Sequence, residues 1–246
     1  YPSSVMMNAC PAKVAGVPRI VMAVPPGKDG KVNPNVLVTA KLIGVTEIYK
    51  MGGAQAIAAL AFGTATVPKV EKITGPGNIF VTLAKKAVIG HVDIDMLAGP
   101  SEILIVADDS ANPTYLAADL LSQAEHDPLA CAILITDSER VANAVGEEIE
   151  MQLAQLPRKE IAGTSLQQAG KIILAKDMPT VIEMANLSAP EHLEIMTKAP
   201  FEIMPYIRNA GAMFLGAYSP EPLGDYYAGP NHVLPTGGTA KFYSVL

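Results

Sequence analysis

The chain has 246 residues, of which 50% are hydrophobic and 17% are charged, and its formal net charge is -6. This length and apolar content can bury a large core, which excludes an intrinsically disordered chain and a disulfide-stapled miniprotein. The acidic balance argues against nucleic acid or an anionic membrane surface as the main partner.

The cysteines and the hydropathy pattern indicate a compartment. Cys10 and Cys131 lie far apart among apolar residues, without CxxC spacing, which favours buried thiols in a reducing compartment. No run approaches the roughly 18 apolar residues of a transmembrane helix, and no secretory signal pattern opens the sequence. We therefore predict a cytoplasmic protein that uses no membrane. Because no Met precedes Tyr1, we also expect the gene product to be longer than this chain.

Short runs rich in Val and Ile alternate with helical patterns along the whole chain. The first part predicts, in chain order, strand 19–24, helix 35–43, strand 46–49, helix 53–62, strand 70–74 and helix 80–88. The second part predicts strands 102–107, 132–136, 171–175, 193–196 and 212–215, with helices 113–125, 139–155, 179–187 and 200–208 between and after them. Because such alternation builds parallel sheets, we predict an α/β fold of two Rossmann-like domains, with mostly parallel sheets flanked by helices.

The segment Ala98-Gly-Pro-Ser-Glu102 interrupts this alternation and marks the predicted domain border, with one α/β domain at 1–100 and a second at 101–246. Gly-rich loops begin at Gly52, Gly75 and Gly99. Ligands of parallel sheets bind at the carboxyl ends of the strands, so we expect these loops there. Neither a GxGxxG motif after the first strand nor a GxxxxGK[ST] motif is present, and each loop alone is more simply an ordinary turn.

Two polar constellations stand out in the second domain. Gln123 and His126 are spaced i, i+3 at the end of a predicted helix, which puts both on one face and suits zinc. Asp225 could complete that set, although an isolated His at a helix C-terminus is more simply a partner of the helix dipole. Glu191 and His192 are adjacent before a strand, so we expect them to address different parts of a site in two proton-transfer roles. A solvated polar turn is an equal alternative for this pair.

Taken together, six segments of the chain resemble histidinol dehydrogenases in order and spacing, and the resemblance covers essentially all 246 residues. The segments are Gly52-Gly-Ala-Gln-Ala-Ile-Ala-Ala-Leu60, Gly75-Pro-Gly-Asn78, Ala98-Gly-Pro-Ser-Glu102, Leu121-Ser-Gln-Ala-Glu-His126, Pro190-Glu-His-Leu193 and Asn231-His-Val-Leu-Pro-Thr236. Six matches in order are far more specific than any single motif.

The resemblance implies an NAD-dependent zinc enzyme of histidine biosynthesis. Such an enzyme oxidises L-histidinol to L-histidine through the aldehyde, in two hydride transfers. The implied metal ligands are Gln123, His126 and Asp225. The implied substrate contacts are Ser101, His192 and the three metal ligands, because zinc in this family holds the imidazole and amino group of the substrate.

The resemblance also assigns the catalytic and cofactor residues. His192 matches the acid/base that takes the alcohol proton, and Glu191 matches the residue that activates water for the second oxidation. Gln55 and Asn78 match contacts to NAD. These roles fit the chemistry, because the first oxidation needs a base and the second needs a hydrated aldehyde.

Some family features have no counterpart in the 246 residues. The family has a cofactor-contacting Tyr upstream of the position of Tyr1. It also has a Glu and a zinc-binding His beyond the position of Leu246, which are donated across a homodimer interface. We therefore expect the chain to be the core of a longer homodimeric enzyme with a shared active site, and to have weak or no turnover by itself.

Three alternatives remain open at this point. One is a related zinc- and NAD-dependent dehydrogenase of another small alcohol, such as a sulfonated propanediol. The second is a non-catalytic remnant that binds a metal or ligand. The retention of both Glu191 and His192 argues against this second alternative, because binding alone needs no carboxylate to activate water. A zinc hydrolase is disfavoured by the lack of dense His and Glu ligands.

Overall fold

The computed structural model describes residues 1–244, and residues 245 and 246 lie outside the description. The predicted mixed α/β architecture with parallel sheets and flanking helices is confirmed. The described residues form two compact units. The first consists of Tyr1–Ala98 with Asn231–Val233, and the second of Gly99–Pro230 with residues 234–244.

The first unit is built on two small parallel sheets. Its helices are α1 (Pro2–Val14), α2 (Pro34–Ile43), α3 (Gly53–Phe62) and α4 (Ile79–Ala87). Its strands are β1 (Val21–Ala23), β2 (Glu47–Tyr49), β3 (Lys72–Ile73) and β4 (Asp93–Ile94), which pair as β1 with β2 and β3 with β4. Asn33 and Asn78 begin α2 and α4 by accepting backbone N–H groups of the first turn, which is a favoured N-cap role for Asn.

The second unit contains a parallel five-stranded sheet. Its strands are β5 (Glu102–Ala107), β6 (Cys131–Thr136), β7 (Lys171–Leu174), β8 (His192–Met196) and β9 (Ala212–Leu215), in the order β7-β6-β5-β8-β9. Its helices are α5 (Pro113–Ala124), α6 (Glu139–Leu153), α7 (Lys159–Ala169), α8 (Met178–Ser188), α9 (Pro200–Ile203) and the single turn α10 (Glu221–Leu223). The segment Gly224–Ala228 continues α10 as a π-helical turn.

The core of the second unit has two faces because side chains alternate along each strand. Ile103 and Ile105 of β5 pack toward α5, α6 and α7, whereas Leu104 and Val106 pack toward α8. On β8, Leu193 belongs to the α8 face. The central strands β5 and β8 are therefore covered on both sides, as expected of a parallel sheet.

The ends of β5 and β8 correct one expectation from the sequence. Gly99 precedes β5, and Glu191 precedes β8, so both lie at the amino ends of adjacent parallel strands. The loops at Gly52 and Gly75 do follow strands, as expected. The polar residues of the second unit thus gather at the opposite edge of the sheet from the one that general α/β topology favours.

Most predicted elements are present with small shifts at their ends, but some were missed. Helices α1 and α7 and strand β4 were not predicted, and the predicted helix 200–208 is the short α9 followed by a 3₁₀ turn at Met204–Tyr206. Helix α1 contains Pro11, a residue that normally interrupts a helical pattern. No helix in the described residues is long and apolar enough to cross a bilayer.

Candidate active site

The candidate site is centred on three residues at the amino ends of β5 and β8. The backbone N–H of Glu102 donates to Oε2 of Glu191 at 3.0 Å. The backbone oxygen of Glu102 lies 3.0 Å from Nδ1 of His192, and because this oxygen can only accept, Nδ1 is the donor in that hydrogen bond. Nδ1 of His192 and Oε2 of Glu191 are 3.7 Å apart. Glu191 and His192 thus lie side by side at this edge of the sheet, and the expectation that they address different parts of a site stays a prediction.

The residues at the start of β9 pack tightly against the backbone of Glu191. The N–H of Ala212 donates to the backbone oxygen of Glu191. A Cβ at Gly211 would lie 2.5 Å from that same oxygen. A glycine is therefore required at position 211, and it lets the neighbouring strand fix the backbone that carries Glu191.

A second group of side chains comes from the segment after β9. In the described part of the chain, the group of three His, Cys, Asp or Glu side chains with metal-binding geometry is His192, Glu221 and Asp225, whose ligand atoms lie within 4.8 Å of one another. His192 and Glu221 are buried and Asp225 is half-buried. Asp225 was predicted as a metal ligand, whereas Glu221 was missed.

The carboxyl groups at this site have pKa values above those of ordinary glutamates. Burial and, to a lesser extent, the charges of Glu102, Glu221 and Asp225 raise the pKa of Glu191 to about 8, while the hydrogen bond from the Glu102 backbone N–H lowers it. Burial and the neighbouring Asp225 also raise the pKa of Glu221 to about 8. Burial raises the pKa of Glu102. Carboxyl groups crowded in this way favour bound protons or a bound cation.

Gln123 lies in the last turn of α5, and His126 lies two residues beyond the end of this helix. Gln123 is 1% exposed, and its Oε1 is buried without a hydrogen-bond donor. Nδ1 of the exposed His126 lies 2.7 Å from the backbone oxygen of Ser122, an arrangement that orients Nε2 for a ligand role. A buried amide oxygen without a donor fits a cation, since a carbonyl oxygen is an acceptable metal ligand. That both residues bind the same metal as Asp225 remains a prediction.

Buried acids extend behind the site. Glu194 lies two residues after His192 on β8 and is fully buried. Its Oε1 accepts the backbone N–H of Glu221 at 3.1 Å, and its carboxyl hydrogen-bonds to that of Asp119 on α5. Oε2 of Glu221 is buried without a hydrogen-bond donor. Among the described residues, no lysine or arginine forms an ion pair with these buried acids.

The predicted cofactor contacts lie in the first unit. Gln55 and Asn78 are both exposed, and they lie at the N-terminal ends of α3 and α4, which pack against each other. Helix N-termini suit the diphosphate of a dinucleotide. Two hydrogen bonds hold the Gly75 loop, which carries Asn78. Asp95 accepts the Gly75 N–H, and the buried Lys85 donates to the Gly75 oxygen.

Sequence reasoning missed Glu102, Glu194 and Glu221 as parts of the site. Two signals were available. Glu221 precedes Asp225 by four residues, the spacing of one helical turn. Glu194 is an acid within a buried strand, where charged residues are rare unless they are compensated. The predicted substrate contact Ser101 does lie at this edge, immediately before Glu102.

Comparison with known proteins agrees with the motifs. The family model described as histidinol dehydrogenase matches residues 1–246. The chain is 63% identical to the histidinol dehydrogenase of Heliobacterium mobile and 60% identical to that of Bacillus subtilis (strain 168). Each match covers 100% of the chain and 58% of the relative. The chain thus spans less than two thirds of the length of its curated relatives.

Solved structures give the same result. The crystal structure of histidinol dehydrogenase from Elizabethkingia anophelis matches with a TM-score of 0.96 and 46% identity, over 100% of the chain and 57% of that structure. An acetylating aldehyde dehydrogenase from Geobacillus thermoglucosidasius matches with a TM-score of 0.55 at 14% identity, over 98% of the chain and 64% of that structure, which shows a shared fold alone. The chain belongs to the histidinol dehydrogenase family.

Proposed function

We propose that the chain forms the catalytic core of an enzyme that oxidises L-histidinol to L-histidine with NAD. The observation that carries this proposal is the buried pair Glu191 and His192, which share the backbone of Glu102 and lie beside Glu221 and Asp225. The reaction needs two different proton-transfer groups, and this pair supplies them in one place.

His192 serves the first oxidation. With Nδ1 bonded to the Glu102 oxygen, Nε2 is the atom that takes the proton of the substrate alcohol as hydride leaves the adjacent carbon. Oε2 of Glu191 lies 3.7 Å from Nδ1, which is too far for a hydrogen bond, so the proton transfer of the first oxidation rests on His192. A neutral imidazole with a fixed tautomer is the state that such a base requires.

Glu191 serves the second oxidation. The aldehyde must first add water, and the resulting hydrate then loses a second hydride. A carboxylate that removes a proton from water is most effective when its pKa is near the working pH. The pKa of Glu191 is raised to about 8, which places it in that range and far above an ordinary glutamate.

Zinc is the metal that this proposal requires. Gln123, His126 and Asp225 are the proposed ligands, and the buried acceptor oxygen of Gln123 and the neighbouring carboxyls of Glu221 and Asp225 support a cation there. When bound, zinc would hold the imidazole and amino group of the substrate. Ser101, beside Glu102, is the further proposed substrate contact.

NAD is the proposed hydride acceptor in both oxidations. Gln55 and Asn78 are the proposed contacts, and their exposure at two helix N-termini supports this assignment. The anchored Gly75 loop would hold Asn78 in position without reorganisation.

The proposal includes a homodimer that works in the cytoplasm. Large aromatic side chains are exposed directly after Asp225, with Tyr226 at 72% and Tyr227 at 88%. Exposed aromatic residues beside a site are typical of surfaces that bind another chain. Cys10 and Cys131 are free thiols in the described structure, but Cys10 is exposed and Cys131 is half-buried, so the expectation that both are buried is wrong. Free thiols are compatible with a reducing compartment.

Substitution of Glu191 by Gln in the full-length enzyme tests the proposal. We expect the oxidation of histidinol to the aldehyde to persist, and the oxidation of added aldehyde to fall by about 10²- to 10⁴-fold, the range for loss of a general base. The measurement is NADH formation from each substrate under single-turnover conditions. Equal rates for the variant and the wild type with the aldehyde would contradict the role of Glu191.

The same assay separates the other alcohols. Turnover of L-histidinol is compared with turnover of sulfonated and simple propanediols at equal concentrations. A preference for a diol would overturn the substrate assignment. NADH formation from none of these alcohols, despite zinc binding, would favour a non-catalytic binding protein.

A further inference from the structure

Glu194 is an unusual residue at its position. Every residue of β8 is buried, and Glu194 has no exposed surface. Its neighbours Leu193 and Ile195 pack on the α8 face of the sheet, so alternation places Glu194 on the α5 face. Packing alone does not explain an acid there, because apolar residues of similar volume often replace buried charged groups without loss of stability.

The carboxyl of Glu194 contacts two different elements. On one side, Oε1 accepts the backbone N–H of Glu221 at 3.1 Å. On the other side, the carboxyl hydrogen-bonds to that of Asp119 on α5. Two adjacent carboxylates repel each other, so the pair is stable when it holds a proton between them. Asp119 is half-buried, and burial raises its pKa to about 6.

These two elements carry candidate metal ligands. Gln123 follows Asp119 by four residues and lies on the same face of α5, one turn nearer to the helix end. Asp225 follows Glu221 by four residues, at the start of the π-helical turn. A single buried carboxyl thus connects the helix that carries Gln123 with the segment that carries Asp225.

We propose that Glu194 is a positioning residue that ties α5 to the segment 221–225 and thereby sets the geometry of the site. It does so through the Glu221 N–H on one side and Asp119 on the other. The expected effect on zinc binding rests on the proposed function, whereas the contacts of Glu194 with Glu221 and Asp119 do not. This role gives a reason for a fully buried acid that contacts neither substrate nor cofactor.

Two substitutions of similar volume test the tie in the 246-residue chain. Glu194→Gln keeps an oxygen for the Glu221 N–H and an amide group for Asp119, whereas Glu194→Leu keeps neither. Hydrogen exchange of the Glu221 amide, measured by NMR without metal, is expected to match the wild type in the Gln variant. In the Leu variant we expect exchange to be faster by about tenfold or more, the change expected from loss of one hydrogen bond to a carboxyl group.

Asp119→Leu is the matched variant on the other side of the tie. It should leave the Glu221 amide protected, because that hydrogen bond remains. It should weaken zinc binding, measured by calorimetry, because α5 is no longer held to β8. Glu194→Leu should also weaken zinc binding, and Glu194→Gln should not. If Glu194→Leu does not fold, Asp119→Leu and Glu194→Gln still decide the question.

Two results would contradict the proposed positioning role of Glu194. One is a Glu221 amide that exchanges equally in the wild type and Glu194→Leu. The other is a Glu194→Gln variant whose Glu221 amide exchanges as fast as it does without the acceptor. Failure of the wild-type chain to bind zinc would instead count against the proposed metal function. The amide exchange would still decide whether Glu194 positions the segment.

Discussion

The two units bury charge in opposite ways. In the first, Lys85 and Asp95 form an ion pair whose side chains are 3% and 1% exposed, and both also bond the Gly75 backbone. In the second, Glu191, Glu194 and Glu221 are buried without a lysine or arginine among their described ion pairs. One set of charges is complete within the chain, and the other is not.

The difference separates a structural role from a functional one. A buried ion pair with all its hydrogen bonds satisfied is stable only as a unit, and it holds a loop in place. Buried acids without a cation raise one another's pKa values and depend on protons or an added cation. The comparison therefore fits a structural role for the ion pair of the first unit and a proton- or cation-binding role for the acids of the second.

Breaking the complete pair should have the largest effect. We expect Lys85→Met to lower the free energy of unfolding by about 3–5 kcal/mol, because Asp95 then remains buried and unpaired. Urea denaturation measures the loss. Lys72→Met is the control, since the Lys72–Asp93 pair is 49% and 68% exposed and its loss should cost at most about 1 kcal/mol. Equal losses of unfolding free energy in the two variants would contradict the distinction between the buried and the exposed ion pair.

The uncompensated acids should make stability depend on pH. Glu191 has a folded pKa of about 8 and an ordinary value of 4.5, so the folded chain retains a proton that the unfolded chain releases. This retained proton contributes fully to the free energy of unfolding at pH values below 4.5, and the contribution is lost as the pH rises toward 8. We expect Glu191→Gln to gain about 2–4 kcal/mol over the wild type between pH 5 and 8.

The measurement is urea denaturation of the two zinc-free chains at several pH values. Zinc must be removed because a bound cation would lower these pKa values. A difference between the variant and the wild type that is constant with pH would show that Glu191 has an ordinary pKa.

The cap of α4 should give the smallest effect. Asn78→Ala removes the acceptor for the Val81 N–H and should cost about 1 kcal/mol. It should also weaken NAD binding to the full-length enzyme, if Asn78 contacts the cofactor. Asn33→Ala removes an equivalent cap at α2 and should cost a similar amount while leaving NAD affinity unchanged. An equal loss of NAD affinity in the two variants would show that Asn78 acts only as a helix cap.

The fold was more predictable than the site. Strands β5 and β9 and helix α3 have the predicted ends, because hydrophobic runs and glycines mark them locally. Helix α1 was missed since Pro11 masks its pattern. The edge of the sheet that carries the site was predicted wrongly, because general topology favours the carboxyl ends.

Local patterns could not reveal which acids meet. Glu191 and His192 are neighbours in sequence, and their motif pointed to them. Glu194 reads as one polar residue in a strand, and Glu221 as one polar residue in a proline-rich loop. Their meeting depends on the pairing of β8 with β9 and on the return of the chain after β9, which no local window contains.

Calorimetric titration of zinc into the metal-free full-length enzyme tests the central claim most directly. The account predicts binding of one zinc ion per chain, with release of protons from the acids whose pKa values are raised, and a large loss of affinity in Asp225→Asn. Lys85→Met should bind zinc as the wild type does. An absence of binding by the wild-type chain, or equal binding by Asp225→Asn, would contradict the claim that the uncompensated acids form a cation site.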